Sequence, residues 1–111
     1  IVHALGAQTA KYLAYSAARL DAVAARDAGF VLEIVEPESL DARVATIVAT
    51  ITANAPLSVQ ASKASIRAVL SGSASDAVKA SALGDATFES ADYAEGRAAF
   101  RERRPARFTG R

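Results

Sequence analysis

The stretch "SLDARVATIVATITANA", residues 39–55, sets Leu40, Val44, Ile47, Val48 and Ile51 at i, i+4, i+7, i+8 and i+11. Those offsets fall on one side of a helix with 3.6 residues per turn, whereas on a strand they would scatter over both faces. The pattern predicts a helix over 39–54 with Val44, Ile47, Val48 and Ile51 buried. It also fixes what the chain needs: a second surface, apolar and complementary, to cover the stripe.

The rest of the chain offers mostly more helix. Residues 7–18, "AQTAKYLAYSAA", are good helix formers. "DAVAARDAG" reads as a short helix with Asp21 at its N-cap and Gly29 as a left-handed stop. "FVLEIVEP" is a β-branched run closed by Pro37 and predicts the one strand. Asn54 is placed to cap a helix with Pro56 in its first turn, and Gly72 to end it. Ser73 or Ser75 opens a third helix to about Glu89. Asp92 and Glu95, three apart, read as an acidic capping pair for a last helix that Pro105 terminates. Tyr93 and Phe100, seven apart, share a face of it.

These helices have little bulk to pack with. Of the 57 apolar residues among 111, 28 are alanine, and each buries little area at about 25 cal/mol per Å². A lone strand likewise has two unpaired edges. Both features, with a first residue that is isoleucine in mid-pattern, predict a piece of a longer fold. Cysteine is absent, which removes disulfides, thiolate metal sites and a Cys nucleophile. His3 is the one histidine, so no metal site is expected. No long apolar run or leader-like segment occurs, and a cytoplasmic protein with no membrane partner is the expectation.

Candidate chemistry is sparse. Glu33, Glu36 and Glu38 gather around Pro37, where acids favour the start of the following helix. No nucleophile elbow and no phosphate loop of the G-x-x-x-x-G-K type is present. The anomaly is the tail: residues 92–111 carry six arginines against Asp92, Glu95 and Glu102, a net +3, while the preceding residues sum to −2. Such a cluster is a solvated helix end, a nucleic-acid contact or a grip on a small polyanion. Without a second basic face, and at a pI of 8.3, the small polyanion fits better than a nucleic acid.

Three stretches together resemble the crotonase superfamily, the enoyl-CoA hydratase/isomerase enzymes. "ALGAQTAKYLAYSAARLDAVAARDAGFVLEIVEP" is similar to a segment in which a glycine-led helix precedes Thr-Gly, an Arg, an "A-x-x-A-x-x-x-G-L-V" helix and a strand ending in Pro. "ATITANAPLSVQASKASIRA" resembles its "I-A-x-N-A-P-x-A-x-x-x-x-K" junction. "FESADYAEGRAAFRERRPARFTGR" is similar to its terminal "F-x-S-x-D-x-x-E-G-x-x-A-F-x-E-K-R-x-P-x-F". The chain departs from the family at Ser16-Ala17, where Thr-Gly is common, and at Arg103, where Lys is common.

The resemblance implies a mainly α fold: the C-terminal helical, trimer-forming region of the crotonase spiral, with one short strand. Residues 1–37 would end the spiral core, and 38–111 would form the helical subdomain. It implies hydration of 2-enoyl-CoA thioesters, with isomerase or other acyl-CoA chemistry, or an RNA-contacting non-catalytic relative, as alternatives. The catalytic glutamates and oxyanion hole would lie upstream of Ile1, so no catalytic residue is expected in this stretch. Phe100 and Arg103 would contact the CoA moiety, which enters as part of the substrate with no separate cofactor. The partners implied are an acyl-CoA, the protein's own N-terminal half, and other copies in a trimer or dimer of trimers.

Overall fold

Alanine loses least on entering a helix, and the computed structural model, which describes all of Ile1–Arg111, is built of helices. They are α1 (Val2–Ser16), α2 (Ala22–Asp27), α3 (Leu40–Thr52), α4 (Pro56–Ser71), α5 (Ala74–Phe88) and α6 (Ala91–Glu102), with a 3-10 turn at Pro37–Ser39. The chain divides into two compact units, Ile1–Arg43 and Val44–Arg111.

In the first unit, α1 breaks at Gly6, whose φ of 74° is outside helical space. The helix stops at Ala17 in a left-handed conformation, φ 52° and ψ 25°. This is the place where the resembling family commonly carries glycine, the residue that adopts that conformation without a Cβ clash. Ser16 helps close the turn: its hydroxyl donates to the Tyr12 carbonyl at 2.5 Å and accepts from the Ala18 N–H. Asp21 caps α2, accepting from the Ala24 N–H at 2.8 Å, and Gly29 follows the helix at φ 75°, both as expected.

The expected strand at 30–37 does not form. A strand is stable only when a neighbour completes its hydrogen bonds, and none is available. The Phe30 and Val31 N–H groups instead donate to the Ala25 carbonyl, extending the end of α2. Leu32 is left 80% exposed. Glu33 pairs with Arg43 at 2.6 Å, so at least one of the three clustered glutamates has a structural role.

The second unit is organised around the α4–α5 hairpin. Gly72 ends α4 at φ 63°, its N–H donating to the Ala68 carbonyl, and Ser73 caps α5 through the Asp76 N–H. Ser71 and Arg67 both reach the Asp76 carboxylate, at 2.7 and 3.7 Å, and fasten the turn. Ala61 on α4 and Ala80 on α5 are the buried residues of the hairpin, small enough for two helix backbones to approach closely. Asn54 does not cap α4. Its side-chain amide turns back to the Thr50 carbonyl at 2.8 Å and closes α3, and Ala55 takes the N-cap position ahead of Pro56. Pro56 needs no donor there, having no N–H to satisfy.

The stripe on α3 forms as a helix face but is not buried within the chain. Val44, Val48 and Ile51 are about half exposed and Ile47 is half-buried, and α3 contributes no buried residue. Periodicity specified the face. The chain's small alanine-rich complement does not supply the surface to cover it.

No single helix is long and apolar enough to cross a membrane. By length and composition, only the pair Pro37–Thr52 and Pro56–Ser71, bent by 104°, would pass together.

Candidate ligand-contact site on the last helix

Ser90 starts α6, its hydroxyl accepting from the Tyr93 N–H at 3.0 Å and donating to the Thr87 carbonyl at 2.6 Å. The acids Asp92 and Glu95 are therefore not the caps they resemble in sequence. Both face the same side of the helix, three residues apart, and both are filled from the residues that follow it. Asp92, 2% exposed, accepts from the backbone N–H groups of Thr109 at 2.6 Å and Gly110 at 2.8 Å, and from the Thr109 hydroxyl at 3.4 Å. The Asp92 N–H in turn donates to the Arg111 carbonyl at 3.1 Å.

Glu95 receives both terminal nitrogens of Arg104, at 2.5 and 2.9 Å, together with the Arg107 N–H at 2.8 Å. The Arg104 Nε reaches Glu102 at 2.6 Å. A fork-on-fork pair of this kind is directional as well as strong. The paired Arg104 donors, and then the Arg107 N–H, hold the Glu95 carboxyl down at about 2. Glu95 and Glu102 together push the Arg104 guanidinium above its ordinary value.

Residues 105–111 thus form a strap laid back along α6. Gly96 makes room for it: a Cβ at that position would stand 3.6 Å from the Phe108 ring. Gly110, at φ 78°, lies against Pro56, whose ring carbons would meet a Cβ at 3.5 Å.

The opposite requirement, for an exposed feature, is met by Phe100, which is 86% exposed. It lines a groove of ≈ 460 Å³ with Tyr93, Gly96, Arg97, Arg101 and Phe108. Tyr93 is fixed by an edge-on contact with Phe88, ring centroids 5.4 Å apart, and Arg97 lies 5.8 Å over its ring. Arg101 and Arg103 form no ion pair with the chain's carboxylates.

Arg103 is not on the regular helix. It is the C-cap, left-handed at φ 53° and ψ 40°, with its N–H donating to the Ala99 and Phe100 carbonyls. Helical spacing therefore does not place it beside Phe100, and it is absent from the groove lining that holds Phe100. Arg97 and Arg101 are the cations that share that groove. Sequence reasoning passed over both, though Arg97 sits three residues before Phe100 and could have been found by the same spacing rule.

The surface so built is an aromatic ring standing in solvent among guanidinium groups without carboxylate partners, on a helix fastened by the buried Asp92 and the half-buried Glu95. Such a surface can stack on a flat ring and pair with phosphate oxygens.

Solved structures with this fold are numerous. An enoyl-CoA hydratase from Mycobacterium tuberculosis H37Rv is 34% identical with a TM-score of 0.87, over 100% of this chain and 44% of that one. An enoyl-CoA hydratase/isomerase from Mycobacterium paratuberculosis is 27% identical with a TM-score of 0.88, over 99% of this chain and 45% of the other. An enoyl-CoA hydratase from Mycobacterium marinum is 37% identical with a TM-score of 0.71, over 83% and 38%. The chain spans less than half the length of these relatives. Among curated proteins no match is found. With residues 1–111 matched throughout by the family's own sequence pattern, the chain belongs to the enoyl-CoA hydratase/isomerase family and has the helical C-terminal architecture of the crotonase fold.

Proposed function

We propose that the chain is the helical part of an enoyl-CoA hydratase, adding water across the double bond of 2-enoyl-CoA thioesters. In this reading, residues outside the chain polarise the thioester carbonyl and activate the water. The chain itself binds the nucleotide end of the substrate and holds copies of the protein together. No residue of Ile1–Arg111 is assigned a catalytic role.

The observation that carries the reading is the exposed Phe100 next to arginines without carboxylate partners, at the end of a helix fastened by its own strap. An adenine ring offers a face to Phe100, and CoA phosphates offer acceptors to Arg103 or Arg101. Contact with this remote part of the substrate is the same in the ground and transition states, so it affects binding and not the chemical step. The half-exposed α3 stripe supports the second role, with other copies of the chain as the surface that covers it.

The test is kinetic, in the whole protein. Arg103→Ala should raise KM for a 2-enoyl-CoA about tenfold, the equivalent of ~1.4 kcal/mol, at the low end for charged hydrogen bonds because the site is exposed. kcat should stay within about twofold. The matching pantetheine thioester, which lacks the nucleotide, should be indifferent to the change. Double-bond migration in place of hydration would replace the hydratase with an isomerase. Absence of turnover on any 2-enoyl-CoA would remove the reading.

A further inference from the structure

Asp92 is the one buried ionisable group in the chain, and neither hydration nor nucleotide contact uses it. With Glu95 it forms a pair of like charges on one side of α6. Such a pair is unfavourable unless donors surround it. Six do, and all come from the segment after the helix: two guanidinium nitrogens of Arg104, the N–H groups of Arg107, Thr109 and Gly110, and the Thr109 hydroxyl. Arg103 stands at the hinge between helix and strap, in a left-handed conformation that non-glycine residues avoid. Its N–H is held by the helix end on one side, and on the other its neighbour Arg104 is anchored to Glu95 and Glu102. A turn disfavoured by its own residue persists only where its surroundings determine it.

We propose that Asp92 and Glu95 are positioning residues: by clasping the strap they fix the left-handed turn at Arg103 and so aim Arg103 and the adjoining edge of α6 at the substrate's nucleotide. The proposal rests on the acyl-CoA reading above. The two carboxylates touch no substrate and act through Arg104 and the strap backbone. Without the clasp, Arg103 would relax to ordinary backbone and its guanidinium would sample many positions. Binding would then carry the entropy of ordering it.

In the whole protein, Glu95→Gln keeps the side chain's size and loses the two-pronged pair. It should raise KM for a 2-enoyl-CoA about threefold to tenfold, with kcat within about twofold and KM for the pantetheine thioester unmoved. The Arg107 amide should exchange hydrogen faster, because its acceptor Glu95 is weakened. Arg104→Lys, which retains the charge but not the fork, should give a smaller rise, and it carries the test if the Gln variant does not fold. If Arg103→Ala raises KM and neither clasp variant does, the clasp is only structural and the proposal fails while the acyl-CoA reading stands. Equal losses on both thioesters would overturn it in the same way. If Arg103→Ala itself leaves KM unmoved, Arg103 does not meet the nucleotide, the clasp has nothing to aim and the proposal fails, while the acyl-CoA reading is decided separately by turnover of a 2-enoyl-CoA.

Discussion

Helices α3 and α6 are nearly equal in length, and they are completed in opposite ways. α3 carries the chain's best apolar stripe yet buries none of its residues, whereas α6, rich in charge, buries Asp92 and Ala99 to 2% exposure. An apolar face is satisfied only by area, and 111 residues rich in alanine do not have the area to spare. A carboxylate is satisfied by a few donors in the right place, and a seven-residue strap provides them. The polar helix therefore has its buried carboxylate satisfied within the chain, and the apolar one has its face left uncovered by it.

The sharpest way to break this contrast is at Asp92. Asp92→Ala leaves the Thr109 and Gly110 N–H groups without their acceptor and should destabilise the whole protein by roughly 3–5 kcal/mol, as expected for two charge-assisted hydrogen bonds to a buried carboxylate. Thermal melting would register it. A loss under ~1 kcal/mol, the level of an exposed pair, would mean that the strap is not held by this carboxylate.

Next in size is Ile47→Ala on α3. If another copy of the chain covers the stripe, the loss should be roughly 2–4 kcal/mol, with a melting temperature that rises with protein concentration. Indifference to both substitution and concentration would leave the stripe exposed in the assembled protein and the comparison with α6 without its second half.

The smallest effect is a pH dependence. Glu95 titrates at about 2 in the folded chain against an ordinary 4.5. Its contribution to stability is therefore complete above 4.5 and lost as pH falls from there through 2. The parent protein's advantage in melting temperature over Glu95→Gln should be constant above about pH 5 and shrink towards pH 2. An advantage that persists unchanged at pH 2 would show that the fork owes nothing to the carboxylate's charge.

Local rules made much of the fold legible. Asp21, Gly29, Gly72 and Ser73 do at the helix ends what their side chains, or lack of one, dictate. Where a polar residue departs from the sequence expectation, its partner is not the nearest helix start. Asn54 precedes a helix and so looked like its cap, but the Thr50 carbonyl one turn back was the better acceptor site. Asp92 and Glu95 resemble caps in sequence, but Ser90 holds the cap position and the donors to the two acids lie up to 18 residues further on. The β-branched run at 30–37 has strand propensity without a ladder partner, and propensity alone does not make a sheet. At the candidate site, Phe100 and the arginine cluster were visible in the sequence. The left-handed backbone of Arg103 was not, since nothing in the spelling of "RERRP" distinguishes a helical arginine from one that ends the helix.

On the proposal that Arg103 meets the nucleotide, that backbone sets stability against binding at a single position. A glycine at 103 would end α6 with less strain, since the left-handed conformation disfavours an L side chain by roughly 1–2 kcal/mol. It would also leave nothing there to meet a ligand. A non-glycine residue held in this conformation by its surroundings is the kind of strained position that, on this proposal, trades turn stability for a side chain able to reach a ligand. The same reasoning makes Arg103 a poor target for stabilising design. A variant with glycine at this position should melt higher and, on the acyl-CoA proposal, bind its substrate less tightly.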